Sequence, residues 1–164
     1  MKLKTIIEIV SDPSIMTPAD ALNAGLPLQL LGSGSYRSVF DIVGTNLVIK
    51  FPNDEYLQRH ECIRHSAKEY EAVTKIMSSR SKAYAAIKKH MPKIHFYNPI
   101  TGVLLANKYR LLGLHKMEDR RLLSLKLKDA IKVNKTLDVQ NSGNVGIDGR
   151  GTLKVIDAGY LLGI

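Results

Sequence analysis

The sequence is poor in the residues that mark several common classes of protein. Cys62 is its one cysteine, so an internal disulfide is impossible, and we expect a reducing, cytoplasmic environment. No apolar run approaches the roughly 20 residues of a membrane-spanning helix. The first residues are interrupted by Glu8 and lack a small-residue cleavage site, which is not typical of a signal peptide. We therefore expect no association with a membrane.

Aromatic residues are also scarce, with no tryptophan and three phenylalanines, and this weakens a nucleic-acid-binding interpretation. The net charge of +9 nevertheless favours acidic partners, which include nucleotide phosphates, nucleic acid and acidic proteins. The basic residues are spread along the chain, so charge alone does not choose among these partners. A length of 164 residues suits one domain or two small lobes.

A hairpin is predicted near the end of the chain. Two runs typical of β-strands, 145–147 and 152–156, flank Asp148-Gly-Arg-Gly151, which is typical of a turn. Such a hairpin would bring Asn144, just before its first strand, close to Asp157, just after its second. An amide oxygen and a carboxylate are hard ligands that suit Mg²⁺. We therefore predict that Asn144 and Asp157 bind this metal.

A second glycine-containing turn is predicted between alternating strands at 28–31 and 39–43. Glycines let the backbone approach phosphate groups closely, and Tyr36 could cap the turn. A plain hairpin is the alternative. The candidate phosphate-binding residues are Gly32, Ser33, Gly34, Ser35 and Tyr36.

Lys50 is a single lysine that follows three apolar residues in a predicted strand over 46–51. Behind a glycine-rich hairpin we interpret it as a phosphate-binding lysine, and the alternative is an edge residue with its amine in solvent. A helix is predicted over 55–78. Glu69 lies nineteen residues after Lys50 and is the candidate partner of its ammonium group; Glu71 is the competitor, on another side of the helix.

The remaining segments predict further short elements. Residues 1–12 indicate a short strand or the start of a helix, and Thr17-Pro18 begins a short helix that Gly25 ends. His60, Glu61 and His65 are not spaced for zinc, and we expect solvated side chains. Further on we predict a basic helix over 83–90 and strands over 93–97 and 103–112. A basic amphipathic helix is predicted over 116–135; it would pack under the loop that precedes Asn144, and the alternative is a helix that binds nucleic acid or a membrane surface.

In this order and spacing, the segments resemble the protein kinase-like family, in the style of short phage-encoded Ser/Thr kinases. The thirteen residues from Asn144 to Asp157 match the interval in that family between the catalytic-loop Asn and the Asp of Asp-Phe-Gly. The other matching segments are Gly32-Ser-Gly34, Val48-Ile-Lys50, Glu69 and Asp157-Ala-Gly159.

The resemblance implies an α+β fold and an ATP- and Mg²⁺-dependent activity in a bacterial or phage-infected cell. The expected amino-terminal lobe, residues 1–112, has a five-stranded antiparallel sheet and one main helix. The expected carboxy-terminal lobe, residues 113–164, is minimal and helical and carries the catalytic-loop hairpin. Lys50 would hold the α and β phosphates, Glu69 would orient Lys50, and residues 108–113 would form the hinge that receives adenine. Asn144 and Asp157 would bind Mg²⁺.

The chain also departs from the family pattern. Arg37 replaces the third glycine of the loop, and Ala158 replaces the phenylalanine of the Asp-Phe-Gly motif. The position of the family's catalytic Asp, five residues before Asn144, is Val139. Either Asn141 is an insertion and Asp138 serves as the base, or the base is missing. Only five residues follow Gly159, so we expect that either a partner or a second copy supplies the surface for a peptide substrate, or that the chain is a minimal ATP-binding unit.

Three functions follow from these observations. The first is a kinase-like enzyme that transfers the γ-phosphoryl group of ATP to a Ser or Thr of a protein substrate. The second is a catalytically impaired, pseudokinase-type binding module that inhibits or recruits a host protein. The third, which the composition does not favour, is a basic nucleic-acid-binding protein.

Overall fold

The computed structural model describes residues 1–53, 55, 57–111 and 145–156. The helices in these ranges are α1 (Leu3–Ser11), α2 (Pro18–Asn23), α3 (Arg59–Ser78) and α4 (Lys82–Lys88). The strands are β1 (Leu28–Ser33), β2 (Arg37–Ile42), β3 (Leu47–Pro52), β4 (Ile94–Tyr97), β5 (Leu104–Asn107), β6 (Arg110–Leu111), β7 (Val145–Ile147) and β8 (Leu153–Val155). None of the described helices combines the length and the apolar character that a bilayer crossing requires.

The chain divides into two compact units. The first consists of Met1–Ala67 and Lys93–Lys108, and the second of Lys68–Pro92 and Tyr109–Ile164. One boundary between the units therefore falls within α3. The lobes predicted from the sequence, 1–112 and 113–164, divide the chain at a different place. Residues 113–144 lie outside the described residues, so the minimal helical lobe and the helix over 116–135 remain predictions.

The first unit contains a five-stranded sheet with the strand order β1-β2-β3-β5-β4. Every neighbouring pair in it is antiparallel. The prediction of an α+β protein with a five-stranded antiparallel sheet is thereby confirmed. Strand β3 lies at the centre, and all six of its residues are buried, whereas β1 at one edge is mostly exposed.

One face of this sheet packs against α1 and α2. Ile6 and Val10, four residues apart on one side of α1, join a buried cluster that includes Ile49, Phe51 and Leu105 from the sheet. Each large apolar side chain buried in this way contributes about 1.5–3 kcal/mol to folding. The spacing of Ile6 and Val10 is helical, which decides the alternative of strand or helix left open for residues 1–12.

Helix α2 begins as the sequence predicts. The Thr17 hydroxyl accepts a hydrogen bond from the backbone N–H of Asp20 at 3.2 Å, and the Asp20 carboxylate accepts one from the N–H of Thr17 at 2.8 Å. The Thr17 hydroxyl also donates to the Asp20 carboxylate at 2.8 Å, and this bond is the largest cause of the lowered pKa of Asp20, followed by the bond from the Thr17 N–H. Pro18 occupies the first turn, where its missing N–H is not needed. Gly25 then adopts a φ of +88°, which turns the chain out of the helix.

The second unit contains a three-stranded sheet with the order β6-β7-β8. Strands β7 and β8 are antiparallel and pair Val145 with Val155, so the predicted hairpin over 145–156 is confirmed. His90 follows α4 and holds β8. Its carbonyl oxygen accepts from the N–H of Val155, and its Nδ1 donates to the carbonyl of Leu153, both at 2.8 Å.

The single strand predicted over 103–112 is wrong, because the structure divides it into β5 and β6. The five-stranded sheet ends at Lys108, whose N–H donates to the carbonyl of Asn46 at 3.0 Å. Its ammonium group forms an ion pair with Asp41 at 2.8 Å. Arg110 then pairs with Ile147 of β7 in the other sheet. An alternating sequence run shows that a segment is extended but not with which strand each half pairs.

Candidate functional site

Lys50 lies in the central strand of the five-stranded sheet. It is paired with Val39 of β2 on one side and with Leu104 of β5 on the other. The residue is only 3% exposed, so the alternative of an edge lysine with a solvated amine is wrong. An ammonium group is expensive to bury unless it is paired, and Lys50 is not without an interaction partner. The fold therefore buries Lys50, with an interaction partner, in the central strand of its sheet.

The sheet register places Lys50 in a row with the first glycine of the turn. Gly32 is opposite Val39, and Val39 is opposite Lys50, so the three residues share one face of the sheet. Between Leu30 and Gly32 the register shifts, which leaves Leu31 as an extra residue in β1. Such bulges re-aim the residues that follow them, and they are common next to functional sites.

The face that carries Lys50 also carries a small apolar cluster. Val48, two residues before Lys50, packs with Leu104 and Ala106 of β5. Partly buried Val39, Ile94 and Tyr97 complete the cluster. Its members are on the opposite face from Ile49 and Phe51, because side chains alternate along a strand. The sheet therefore carries a buried apolar cluster beside the buried Lys50.

Neither glycine of the predicted phosphate site is required by the fold around it. A Cβ atom added at Gly32 would meet no atom within 4 Å, and one at Gly34 would meet only the Arg37 carbonyl oxygen at 3.8 Å. Among the described glycines, positive φ angles occur at Gly25, Gly44, Gly102 and Gly151. Glycine inside a strand destabilises it by about 0.5–1 kcal/mol relative to alanine. The open space over both glycines is thus not explained by packing or by backbone geometry.

The turn itself is short and exposed. The N–H of Gly34 donates to the carbonyl of Arg37 at 2.9 Å, and the hydroxyls of Ser33 and Ser38 are 2.8 Å apart. Ser35, at the tip, is exposed and makes no hydrogen bond to any residue that the structure describes. Arg37, the residue at the third glycine position, is only 7% exposed and pairs with Pro52.

Tyr36 is engaged by a residue that the sequence does not single out as buried. Its ring stacks on the imidazole of His65, with centroids 4.4 Å apart and planes 12° from parallel. His65 is 8% exposed, so the expectation of a solvated side chain is wrong for it, although His60 and Glu61 are exposed as expected. A histidine on a polar helix gives no signal of such burial in the sequence, because the aromatic partner comes from a distant turn.

Asn53 is a second residue that the sequence analysis does not identify. Its side-chain Nδ2 donates to the carbonyl of Gly34 at 2.8 Å and to the hydroxyl of Ser33 at 3.0 Å. Asn53 directly follows Pro52 at the end of β3, a position typical of any loop, so the sequence contains no sign of this role. Its role becomes visible only in the structure, through its two contacts with a turn about twenty residues earlier.

Glu69 and Glu71 differ clearly in their environment. Glu69 is 0% exposed, whereas Glu71 is exposed. A buried carboxylate needs compensating partners, and Glu69 is not without one. Glu69 is therefore not a solvated side chain, whereas Glu71 is solvated. Its pairing with Lys50 stays a prediction, as does the role of residues 108–113 as a hinge.

The three residues predicted to bind metal or act as a base lie outside the described residues. These are Asn144, Asp157 and Asp138. Among the residues that are described, no group of three or more His, Cys, Asp or Glu side chains is placed to hold a metal ion. The described hairpin pairs Val145, which follows Asn144 in sequence, with Val155, two residues before Asp157. The Mg²⁺ site therefore stays a prediction.

No protein-family model matches this chain, and no curated protein matches it. Among solved structures the chain is similar to the crystal structure of WbdD, with 19% sequence identity and a TM-score of 0.47. The similarity covers 81% of this chain and 32% of the WbdD chain. A similarity at this TM-score does not establish a common fold.

Proposed function

We propose that this protein is a kinase-like ATP- and Mg²⁺-binding protein that transfers the γ-phosphoryl group to a Ser or Thr of a protein substrate. The observation that carries the proposal is the row of Gly32, Val39 and Lys50 across one face of the sheet. It combines an open backbone at Gly32 with the buried Lys50, and it adjoins the apolar cluster of Val48, Leu104 and Ala106. The open backbone and the lysine suit the phosphates of a nucleotide, and the apolar cluster suits its base.

The two glycines support this proposal because they weaken the strand and turn without serving the fold. A side chain at either position would occupy the open space above the sheet. A ligand that approaches the backbone there would require that space to be empty. The N–H of Ser35, which has no partner among the described residues, offers such a ligand a hydrogen-bond donor, and phosphate oxygens accept from backbone N–H groups of this kind.

The proposed roles follow the resemblance and the site. Lys50 would bind the α and β phosphates, and the apolar cluster of Val48, Leu104 and Ala106 would receive the base. Glu69 would orient Lys50. Asn144 and Asp157 would bind Mg²⁺, and Asp138 would accept the proton of the substrate hydroxyl. Because positioning and electrostatics dominate phosphoryl transfer, these groups would suffice for the reaction.

A pseudokinase-type binding module, which inhibits or recruits a host protein, is the second candidate. The observation that favours it is the position of Asp138, which is one residue further from Asn144 than the pattern requires. Without a group that accepts the hydroxyl proton, nucleotide binding could persist while transfer is lost. The two candidates therefore differ in transfer and agree in nucleotide binding.

Thermal unfolding with and without Mg²⁺-ATP tests nucleotide binding directly. A ligand that binds only the folded state stabilises it by about 2.7 kcal/mol at a hundred times its Kd. We expect a Mg²⁺-dependent rise in Tm for the wild type that is lost in Lys50→Met and in Asp157→Asn. Lys75→Met, which removes an exposed lysine of α3, is the matched control and should retain the rise. A retained rise in both Lys50→Met and Asp157→Asn would contradict the proposal.

The same assay separates the two acids of α3. Glu69→Gln should reduce the ATP-dependent rise in Tm, and Glu71→Gln, an exposed change on the same helix, should not. Transfer of radiolabelled phosphate from ATP to a protein acceptor then distinguishes the two candidates. Nucleotide binding without transfer, at any acceptor and at millimolar ATP, would favour the binding module.

A further inference from the structure

All four polar groups of Asn53 form hydrogen bonds. Together these bonds connect the glycine turn, the loop that follows β3 and helix α3. Nδ2 donates to the carbonyl of Gly34 at 2.8 Å and to the hydroxyl of Ser33 at 3.0 Å. The backbone N–H donates to the carbonyl of Tyr36 at 2.9 Å. Oδ1 accepts from the N–H of Glu55 at 3.2 Å, and the carbonyl oxygen accepts from Sγ of Cys62 at 2.9 Å.

The turn depends on these bonds because it has little packing of its own. Residues 32–35 are all exposed. Apart from the bonds to Asn53, the described contacts of the turn are the Gly34–Arg37 bond, the Ser33–Ser38 contact and the stack of the neighbouring Tyr36 on His65. Cys62, on α3, is 0% exposed and anchors Asn53 from below. Asn53 is therefore fixed to helix α3 through Cys62, and it holds the exposed turn through Ser33 and Gly34.

The bond to the Gly34 carbonyl also determines the direction of a neighbouring donor. The carbonyl of Gly34 and the N–H of Ser35 belong to one peptide group, and the described chain has no cis peptide bond. In a planar trans peptide, the C=O and the N–H point in opposite directions. Because Asn53 holds the carbonyl on its own side, the Ser35 N–H points away from Asn53. That N–H has no partner among the described residues.

We infer that Asn53 is a positioning residue that aims the Ser35 N–H at a phosphate group of the bound nucleotide. This inference rests on the proposed nucleotide-binding function and adds to it a residue that the resemblance does not supply. A donor that is already aimed requires no ordering when the ligand arrives, so it contributes more to affinity than a mobile one. Asn53 acts through the turn and makes no contact with the nucleotide itself.

Two substitutions at this position test the inference. Asn53→Ala removes the amide, and Asn53→Asp keeps its shape but cannot donate to the Gly34 carbonyl. Asn23→Ala, an exposed asparagine at the end of α2, is the matched control. Affinities for Mg²⁺-ATP and for adenosine are measured for all four proteins, and hydrogen exchange of the Gly34 amide is measured without nucleotide.

We expect both Asn53 variants to bind Mg²⁺-ATP about tenfold more weakly, because one hydrogen bond to a charged group is lost. Adenosine has no phosphate, so its affinity should remain that of the wild type. The Gly34 amide should exchange faster in both variants, and Asn23→Ala should match the wild type throughout.

Three outcomes would overturn the inference, and they are distinguishable. Wild-type ATP affinity in both Asn53 variants overturns it and leaves nucleotide binding standing. An equal loss of affinity for ATP and for adenosine would assign Asn53 a general structural role, and this outcome also overturns the inference. A wild-type protein that binds neither ligand overturns the proposed function, and the inference with it.

Discussion

Two hairpins of this chain each have two glycines in or beside the turn, and the structure uses them in different ways. In the β7–β8 turn, Gly151 has a φ of +77°, a conformation that L-residues rarely adopt. The turn is closed from within by Asp148. Its Oδ1 accepts from the N–H groups of Arg150 and Thr152, each at 2.9 Å, and its carbonyl accepts from Gly151 at 3.0 Å.

The β1–β2 turn has neither property. Gly32 and Gly34 do not have positive φ, and a Cβ at either would meet nothing closer than 3.8 Å. Asn53, from outside the hairpin, supplies the side-chain bonds to this turn. Ser35 at its tip makes no hydrogen bond to the described part of the chain.

The difference teaches how to interpret a glycine-rich turn. Where the backbone requires glycine, as at Gly151, the residue is explained by the fold and indicates nothing about a ligand. Where neither φ nor space requires it, as at Gly32 and Gly34, the fold does not explain the glycine, and room for a ligand is one explanation that can be tested. Substitution of each glycine by alanine can therefore separate the two kinds of turn.

The largest effect in this comparison is expected for Gly151→Ala. Alanine in the left-handed region costs about 1–2 kcal/mol, so the free energy of unfolding should fall by this amount. Gly149→Ala, in the same turn, has ordinary φ and open space, and it should change stability by less than about 0.5 kcal/mol. Urea denaturation of both variants measures the difference. Equal losses would show that positive φ does not distinguish the two positions.

A smaller effect, of opposite sign, is expected for Gly34→Ala and Gly32→Ala. Alanine fits the native backbone at both positions, and it reduces the freedom of the unfolded chain. We therefore expect an unchanged or increased free energy of unfolding, by up to about 1 kcal/mol. The added methyl groups should at the same time reduce the rise in Tm with Mg²⁺-ATP. A loss of stability without a loss of nucleotide binding would make these glycines structural, like Gly151.

Much of the fold could be predicted from the sequence because its elements have strong local signals. The capping box of α2, the alternation in β1 to β3 and the Asp148–Gly151 turn each depend on residues close together in the chain. Glu69 could be preferred over Glu71 for a similar reason, since helical spacing separates their sides. The division of 103–112 between two sheets could not be predicted, because strand pairing is set by distant residues.

In the candidate site, too, a role that depends on residues distant in the chain could not be predicted. Lys50 is apparent in the sequence because a charge interrupts an apolar run. Asn53 and His65 have no such signal, since polar residues in a loop and on a helix are ordinary. Their roles come from contacts with Gly34 and Tyr36 across about twenty to thirty residues of chain. Supporting residues of a site are therefore harder to predict than the groups they support.

The smallest effect that we expect is a change in the stability contributed by Asp148 when the pH is lowered. The pKa of Asp148 lies below its usual value of 3.8, chiefly because its carboxylate accepts from the N–H of Thr152. A carboxyl group whose pKa is lowered by folding stabilises the native state above its unfolded pKa and loses this contribution as the pH falls through the folded pKa. Asp148→Asn removes that contribution.

The stability difference between the wild type and Asp148→Asn should therefore be largest near neutral pH and shrink below about pH 4. Urea denaturation at several pH values measures this difference. Asp12 and Asp20, whose pKa values are also lowered, are present in both proteins, so their effects cancel. A difference that stays constant down to pH 2 would mean that the charge of Asp148 does not matter to its turn. Asn53 holds the other turn with a neutral amide, so its bonds to Ser33 and Gly34 contain no carboxyl group that acid could protonate.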